Sequence, residues 1–287
     1  MSSAVTEIKT APAGVEPTVD PNVVRAAIAL RRRTMAKRIV MGVFTPIFFL
    51  AIWEVLSRVG VLDREYIPPP SEVFRGMGAG IKDGSLTEAV AHNGWISIQR
   101  LVPGFALGLV VGLVAGIAMG ILDLVRFGLR PIISATFPIP KIAIFPILII
   151  IFGIGDTSKI VVVALAVFYM VCINTASGIE YSNRIYREVA TAFQVPKRVE
   201  YLRVIIPSAL PSIMTGVRLG VGNALIVLVS AEFVSAQAGI GYYIWNAWQV
   251  LDINAMFGGL IVIALFGILT NWCLLALERR LIPWSQS

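Results

Sequence analysis

Six separated runs of about 20 apolar residues constrain this chain more than any other feature. They lie near residues 39–56, 101–122, 132–152, 159–179, 211–233 and 256–277. A helix needs about 20 residues to cross a hydrocarbon core roughly 30 Å thick. Within lipid, every backbone donor and acceptor must be satisfied inside the chain, which favours helices. The sequence therefore reads as all-α, a polytopic membrane protein with about six transmembrane helices. Composition agrees: 57% of residues are hydrophobic and only 14% are charged. No small-residue cleavage site follows the first run, so it reads as a span and not as a signal peptide.

Charge sets the expected orientation. With an even number of spans, both termini fall on one side. The segments on that side, 1–38, 123–131, 180–210 and 278–287, hold 16 of the 24 Lys and Arg. The opposite segments hold 6, and Lys141 and Arg218 fall within spans. Basic excess marks the cytoplasmic side, so a multi-pass inner-membrane protein with both termini cytoplasmic is expected. The layout is then a basic, disordered tail (1–38), a first helix (39–62) and an extracytoplasmic connecting segment (63–98). A core of five helices (99–280), containing a cytoplasmic loop at 180–210, and a short tail (281–287) follow. The net charge of +7 is spread among loops without a basic-aromatic patch, so nucleic acid is not an expected partner, and the lipid bilayer is.

Several residues inside the spans carry chemistry. Gly104, Gly108, Gly112, Gly116 and Gly120 form a stripe at a four-residue step. In lipid, such a face lets another backbone approach closely; it serves either static packing or a helix that moves against its neighbour. The third span holds Pro131, Pro138, Pro140 and Pro146, each of which removes a backbone donor. Broken backbone at membrane depth needs protein or a water-filled cavity around it. Pro138, Pro140 and Lys141 are thus candidates for a translocation path, where the cation would attract an anion. Alternatively, Lys141 begins a helix and snorkels to an interface. Glu232 either lines the same path or marks the outer interface. Cys172 and Cys273 read as small buried hydrophobes. The single histidine, His92, is placed in the connecting segment. No metal-ligand spacing is present.

The loop at 180–210 is longer than a span-to-span connection requires. Ile185, Val189 and Ala192/Phe193 recur at helical spacing. Pro196 suits the first turn of a second helix, expected to end near Ile206, with Pro207 and Pro211 delaying the next span. The result is a helix–turn–helix unit on the membrane face, either a docking surface for a soluble partner or an amphipathic interfacial hairpin.

Here the stretch "EVATAFQVPKRVEYLRVIIP" resembles the EAA motif of ABC importer permeases. Glu188 takes the Glu position, and Val189 and Ala190 take the two Ala positions. Val204, Ile206 and Pro207 fit the far end at the family's spacing. Gln194 stands where the motif has Gly. Glycine would adopt a left-handed turn without steric cost, and Pro196 is a candidate for building the turn differently. Further blocks, among them "YIPPPSEVF", "FPIPKIAIFPILIIIFGIG", "AEFVSAQAGIGYYI" and "LERRLIPW", are similar to the nitrate/sulfonate/taurine permease group, and together they cover most of the chain after residue 66.

The resemblance implies a type I ABC importer permease fold. It implies a cytoplasmic ATPase dimer that grips the loop, an extracytoplasmic substrate-binding protein and a second permease copy in a homodimer. The implied coupling residues are Arg184, Arg187, Glu188, Val189, Ala190, Ala192, Phe193, Gln194, Pro196 and Pro207, with Ala190 and Ala192 keeping the docking surface low. No cofactor is implied for this chain, and ATP and Mg would be used by the partner. Consistent with this, the sequence has no phosphate-cradling Gly-rich loop followed by Lys and Ser or Thr. The implied cargo is a small anion such as a sulfonate, taurine or nitrate; a heterocycle or aromatic acid is the alternative.

Other classes fit less well. An ion-coupled secondary transporter would place acids in two related halves; acids within these spans are nearly confined to Glu54 and Glu232, and no internal repeat is evident. An embedded enzyme would need a nucleophile–base set or metal ligands facing a cavity.

Overall fold

The computed structural model describes residues 21–181, 189–190 and 192–282, and the described residues are almost wholly helical. Two compact units are distinguished, residues 1–64 and residues 65–287.

The first unit contains one long helix, α1 (Pro21–Val59). Its Val40–Val59 portion has the length and hydropathy of a membrane span. The expectation of disorder to residue 38 is corrected from Pro21 onward. Proline at the first helical position has no backbone donor to lose, and the Ala-, Leu- and Arg-rich run after it favours helix.

The second unit contains α2 (Pro70–Lys82), α3 (Ser85–Ile121), α4 (Asp123–Thr136), α5 (Lys141–Phe152) and α6 (Asp156–Glu180). After the loop come a short α7 (Lys197–Glu200), a π-turn (Tyr201–Ile205), α8 (Ile206–Ser235), α9 (Ile240–Gln249) and α10 (Ile253–Leu281). The connecting segment expected at 63–98 is therefore largely helical, and His92 lies on α3.

At the centre is α6, whose Val163, Val167, Val171 and Ile179 join Ala209, Ile213, Val217 and Leu228 of α8 in one buried cluster. The glycine stripe of α3 lies directly on α6. A Cβ on Gly104 would sit 2.8 Å from the Ile160 carbonyl oxygen, and one on Gly116 would sit 2.8 Å from that of Cys172. One on Gly112 would reach the Phe168 carbonyl at 3.0 Å. Contact positions rise together along both helices, so α3 and α6 run parallel and share a four-residue step. The stripe is thus packed tightly on α6, as both readings of it require. Helix α8 runs antiparallel to α6: Gly178 meets Ser212, whereas Gly220 meets Val167.

These directions fix the path of the third apolar run. Because α3 and α6 are parallel, the chain must return from one end of the unit to the other between Ile121 and Asp156. The α4–α5 pair does so with a bend of 102°. Ile133 of α4 packs with Met119 near the end of α3, and Phe145 of α5 packs with Val162 of α6 and Ala231 of α8. The pair is thus one broken span. The described residues hold five single-helix candidate spans in addition to it.

The unit has two ends. One, the loop end, gathers the C-termini of α3, α6 and α10 and the start of α8; Arg218 on α8 pairs there with Glu278 on α10. The opposite end gathers the starts of α3, α6 and α10 with α9. One expectation fails near the loop. Pro207 and Pro211 do not delay the span, because helix runs from Lys197 to Ser235. The Ile206 N–H donates to the Tyr201 carbonyl, a five-residue step. That wider turn leaves room where Pro207 lacks a donor and its ring would otherwise crowd the preceding turn.

Candidate functional site

The described part of the loop is built around a helix terminus. The Val195 N–H donates to the Ala190 carbonyl at 2.9 Å, a six-to-one bond across Gln194, whose φ is +52°. This is the Schellman arrangement, in which the left-handed position is usually glycine. Gln194 thus adopts the backbone of the motif glycine, and Pro196 does not provide a different turn. Pro196 instead caps α7 in extended backbone, φ −57° and ψ 137°. Within α7, the Lys197 ammonium lies 2.9 Å from the buried Glu200 carboxylate.

Burial sorts the expected coupling residues. Ala190 is only 5% exposed, so it packs inward and cannot shape a docking surface. Phe193 is 79% exposed and Val189 49%, and Ala192, Gln194 and Pro196 are exposed beside them. Exposed apolar side chains on a turn at a membrane-protein end are a feature of partner contacts. Arg184, Arg187 and Glu188 lie outside the described residues. Pro207 belongs to α8.

The path candidates have structural partners. Lys141 is the first residue of α5 and is 8% exposed. Its ammonium donates to the carbonyls of Thr136 at 3.1 Å, Phe137 at 3.0 Å and Ile139 at 2.9 Å. An ammonium has three donors, and three carbonyls at the corner accept them. The same nitrogen lies 4.0 Å from the centroid of the Tyr169 ring, and the Tyr169 hydroxyl is 2.9 Å from Thr136 Oγ1. Lys141 therefore fastens the α4–α5 corner left open by Pro138 and Pro140. Lys159 repeats the device after α5, with its ammonium 3.0 Å from the Ile154 carbonyl.

Glu232 is fully buried at the opposite end, 0% exposed. It accepts from Arg100 Nη1 at 2.7 Å, Ser97 Oγ at 2.9 Å and the Gly241 N–H at 2.8 Å. Arg100 Nε reaches Asp156 at 2.7 Å, and its Nη1 also donates to the Ala238 carbonyl at 2.7 Å. A Cβ on Gly241 would lie 2.7 Å from Glu232 Cβ, so that glycine admits the carboxylate. This network joins α3, α6, α8 and α9. Sequence reasoning counted Arg100 only as an outer charge. The missed signal was its place on the Ser97 face, three residues on, ahead of a long apolar run.

One more feature lies at the loop end of the unit. A cavity of about 500 Å³ opens between α4 and α6, with Arg126, Arg130, Ser134, Asn174, Ser177 and Glu180 among its lining. Among the described residues, no group of three or more His, Cys, Asp or Glu is placed to hold a metal.

A broken central span, a parallel helix pair in glycine contact and a turn-capped loop presenting apolar side chains at one end define a multi-spanning helical membrane protein. The chain belongs to the family described as binding-protein-dependent transport system inner membrane component, whose pattern matches residues 108–283. It is a permease subunit of an ABC importer and not itself the ATP-hydrolysing enzyme. An ATPase and a substrate-binding protein are partners of such a subunit. The aliphatic sulfonates transport permease SsuC of Bacillus subtilis is 33% identical over 91% of this chain and 94% of its own length. The taurine transport permease TauC of Escherichia coli is 31% identical, covering 88% of this chain and 92% of its own. The nitrate import permease NrtB of Synechococcus elongatus is 29% identical, covering 78% of this chain and 84% of its own.

Proposed function

We propose that this permease imports a small oxyanion, released to it by a binding protein, through alternating access in a homodimer. The observation that carries the coupling half is the loop. Its Schellman turn places Phe193, Ala192 and Val189 at the surface, where the cleft of an ATPase would receive them. ATP and Mg would act there, on the partner, and closure of the ATPase dimer would draw two loops together and rock the spans. The cargo half rests on the aliphatic sulfonates, taurine and nitrate named for its relatives, each of which carries an oxyanion group at neutral pH, taurine as a zwitterion.

In this reading the loop end is cytoplasmic. It carries Arg126, Arg130, Lys197, Arg198, Arg203, Arg279 and Arg280, and basic excess marks that side. Both termini then lie in the cytoplasm.

The test is reconstitution of the permease with its cognate ATPase and binding protein in proteoliposomes, followed by uptake of labelled taurine, ethanesulfonate and nitrate. ATP-driven accumulation of at least one of them is expected. Phe193→Asp should abolish co-purification of the ATPase while the permease remains in the membrane. Retention of the ATPase by that variant would remove the loop as the coupling element.

A further inference from the structure

The cavity between α4 and α6 was not anticipated by any sequence motif, and its lining is graded. On α4, Arg126, Arg130 and Ser134 follow one another at four-residue steps and so share one face. On α6, Asn174, Ser177 and Glu180 face the same space. The charged groups lie toward the loop end, because Glu180 closes α6 and Arg126 lies in the first turn of α4. Toward the α4–α5 corner the lining turns apolar, with Ile133, Phe137 and Met170, and Met119 from near the end of α3 adds to it. The Arg130 side chain is half exposed and that of Glu180 one-quarter exposed, so the polar end of the space is open to water at the loop end.

Arg130 shows what this space is shaped to hold. Its Nη1 and Nη2 stand 3.3 Å and 3.0 Å from the two Glu180 oxygens. That fork-to-fork geometry is the one by which a guanidinium recognises any planar pair of oxyanion oxygens. Arg126 makes a single contact to Asp123 on its own helix.

We propose that this cavity is the inward-facing solute site, and that its ligand is a small organic oxyanion with a short aliphatic tail. The anionic head takes the place of the Glu180 carboxylate on Arg130, with Ser177 and Asn174 beside it. The tail lies against Met119, Ile133 and Met170. Glu180 competes for the same guanidinium and so keeps the site weak, as release into the cytoplasm requires. An inorganic anion would fill the head position and leave the apolar floor unused. This inference rests on the transport reading above and narrows its cargo.

The experiment uses the nucleotide-free permease–ATPase complex in detergent, with 2,2,2-trifluoroethanesulfonate as the probe and its fluorine NMR linewidth as the readout. The wild type should broaden the line saturably, and ethanesulfonate should compete at a concentration at least about tenfold below that of sulfate. Arg130→Gln should remove the broadening. The swap Arg130→Glu with Glu180→Arg keeps the ion pair but moves the guanidinium, and it should not restore binding. Broadening that survives Arg130→Gln, returns in the swap or is absent in the wild type overturns the site. Equal competition by sulfate overturns the organic-anion assignment. Uptake in proteoliposomes reports on transport separately: uptake without probe binding sinks the site alone, and probe binding without uptake sinks the transport reading alone.

Discussion

Arg100 Nη1 and Glu232 Oε1 meet at 2.7 Å although 132 residues separate them, and both side chains are buried. Removing Arg100 leaves the Glu232 carboxylate buried without its cation, which costs about 3–5 kcal/mol, whereas removing Glu232 leaves Arg100 its contact with Asp156. Arg100→Met should lower the detergent-solubilised melting temperature sharply, and Glu232→Gln should lower it less. The double change Arg100→Met with Glu232→Leu should recover only part of the loss, because the Ser97 hydroxyl and the Gly241 N–H, which donate to Glu232, lose their acceptor. If the single variants melt like the wild type, the network does not hold α3 to α8.

Gly108 is the tightest point of the α3–α6 contact, where an added Cβ would lie 2.7 Å from Val167 Cβ and closer still to the Ala164 carbonyl oxygen. Gly108→Ala should destabilise by about 1–3 kcal/mol, the usual cost of overpacking, and Gly108→Leu should leave little folded permease. Gly222 on α8 has nothing within 4 Å of an added Cβ. Gly222→Ala should therefore be neutral or slightly stabilising, because it lowers the entropy of the unfolded helix. Thermal melts of the three variants side by side give the comparison.

Gln194 holds φ +52° without the freedom of glycine. Left-handed backbone costs an L-residue about 1 kcal/mol, so Gln194→Gly should stabilise the loop and preserve ATPase co-purification. Gln194→Val, with its branched Cβ, should weaken co-purification. An unchanged complex in the valine variant would mean that the partner tolerates a rebuilt turn.

Lys141→Met would leave the Thr136, Phe137 and Ile139 carbonyls without their cation. The expected loss is about 2 kcal/mol, in the range for hydrogen bonds to charged groups. Melting temperature and uptake should fall together at every solute concentration. A raised KM with an unchanged melting temperature would instead return Lys141 to the translocation path.

The spans were legible because the solvent dictates them: apolar runs of sufficient length leave few alternatives. Pro138 and Pro140 announced the corner between α4 and α5, whereas the left-handed backbone of Gln194 was left open by the sequence, with Pro196 as the alternative way to build the turn. What lay hidden depends on geometry that periodicity does not carry. The acceptors of Lys141 are backbone oxygens, which no sequence displays. The partnership of Arg100 with Glu232 and Asp156 requires three helices to be in place first. Pro207 misled because a π-turn at Tyr201–Ile205 accommodates a proline that the usual helical ladder would reject. Ala190 counted as surface by motif and proved to be interior by packing.

The shared four-residue step of α3 and α6 bears on how force passes through the protein. Each of the five stripe glycines of α3 seats over a carbonyl or side chain of α6, and the next equivalent seat lies four residues away, about 6 Å along the axis. A small slide between the two helices has no intermediate resting place, and a full-turn jump would have to unseat all five positions at once. The close seating resists shear between α3 and α6, so a change of shape in this unit meets less resistance at its margins, where the corner between α4 and α5 is already bent by 102°.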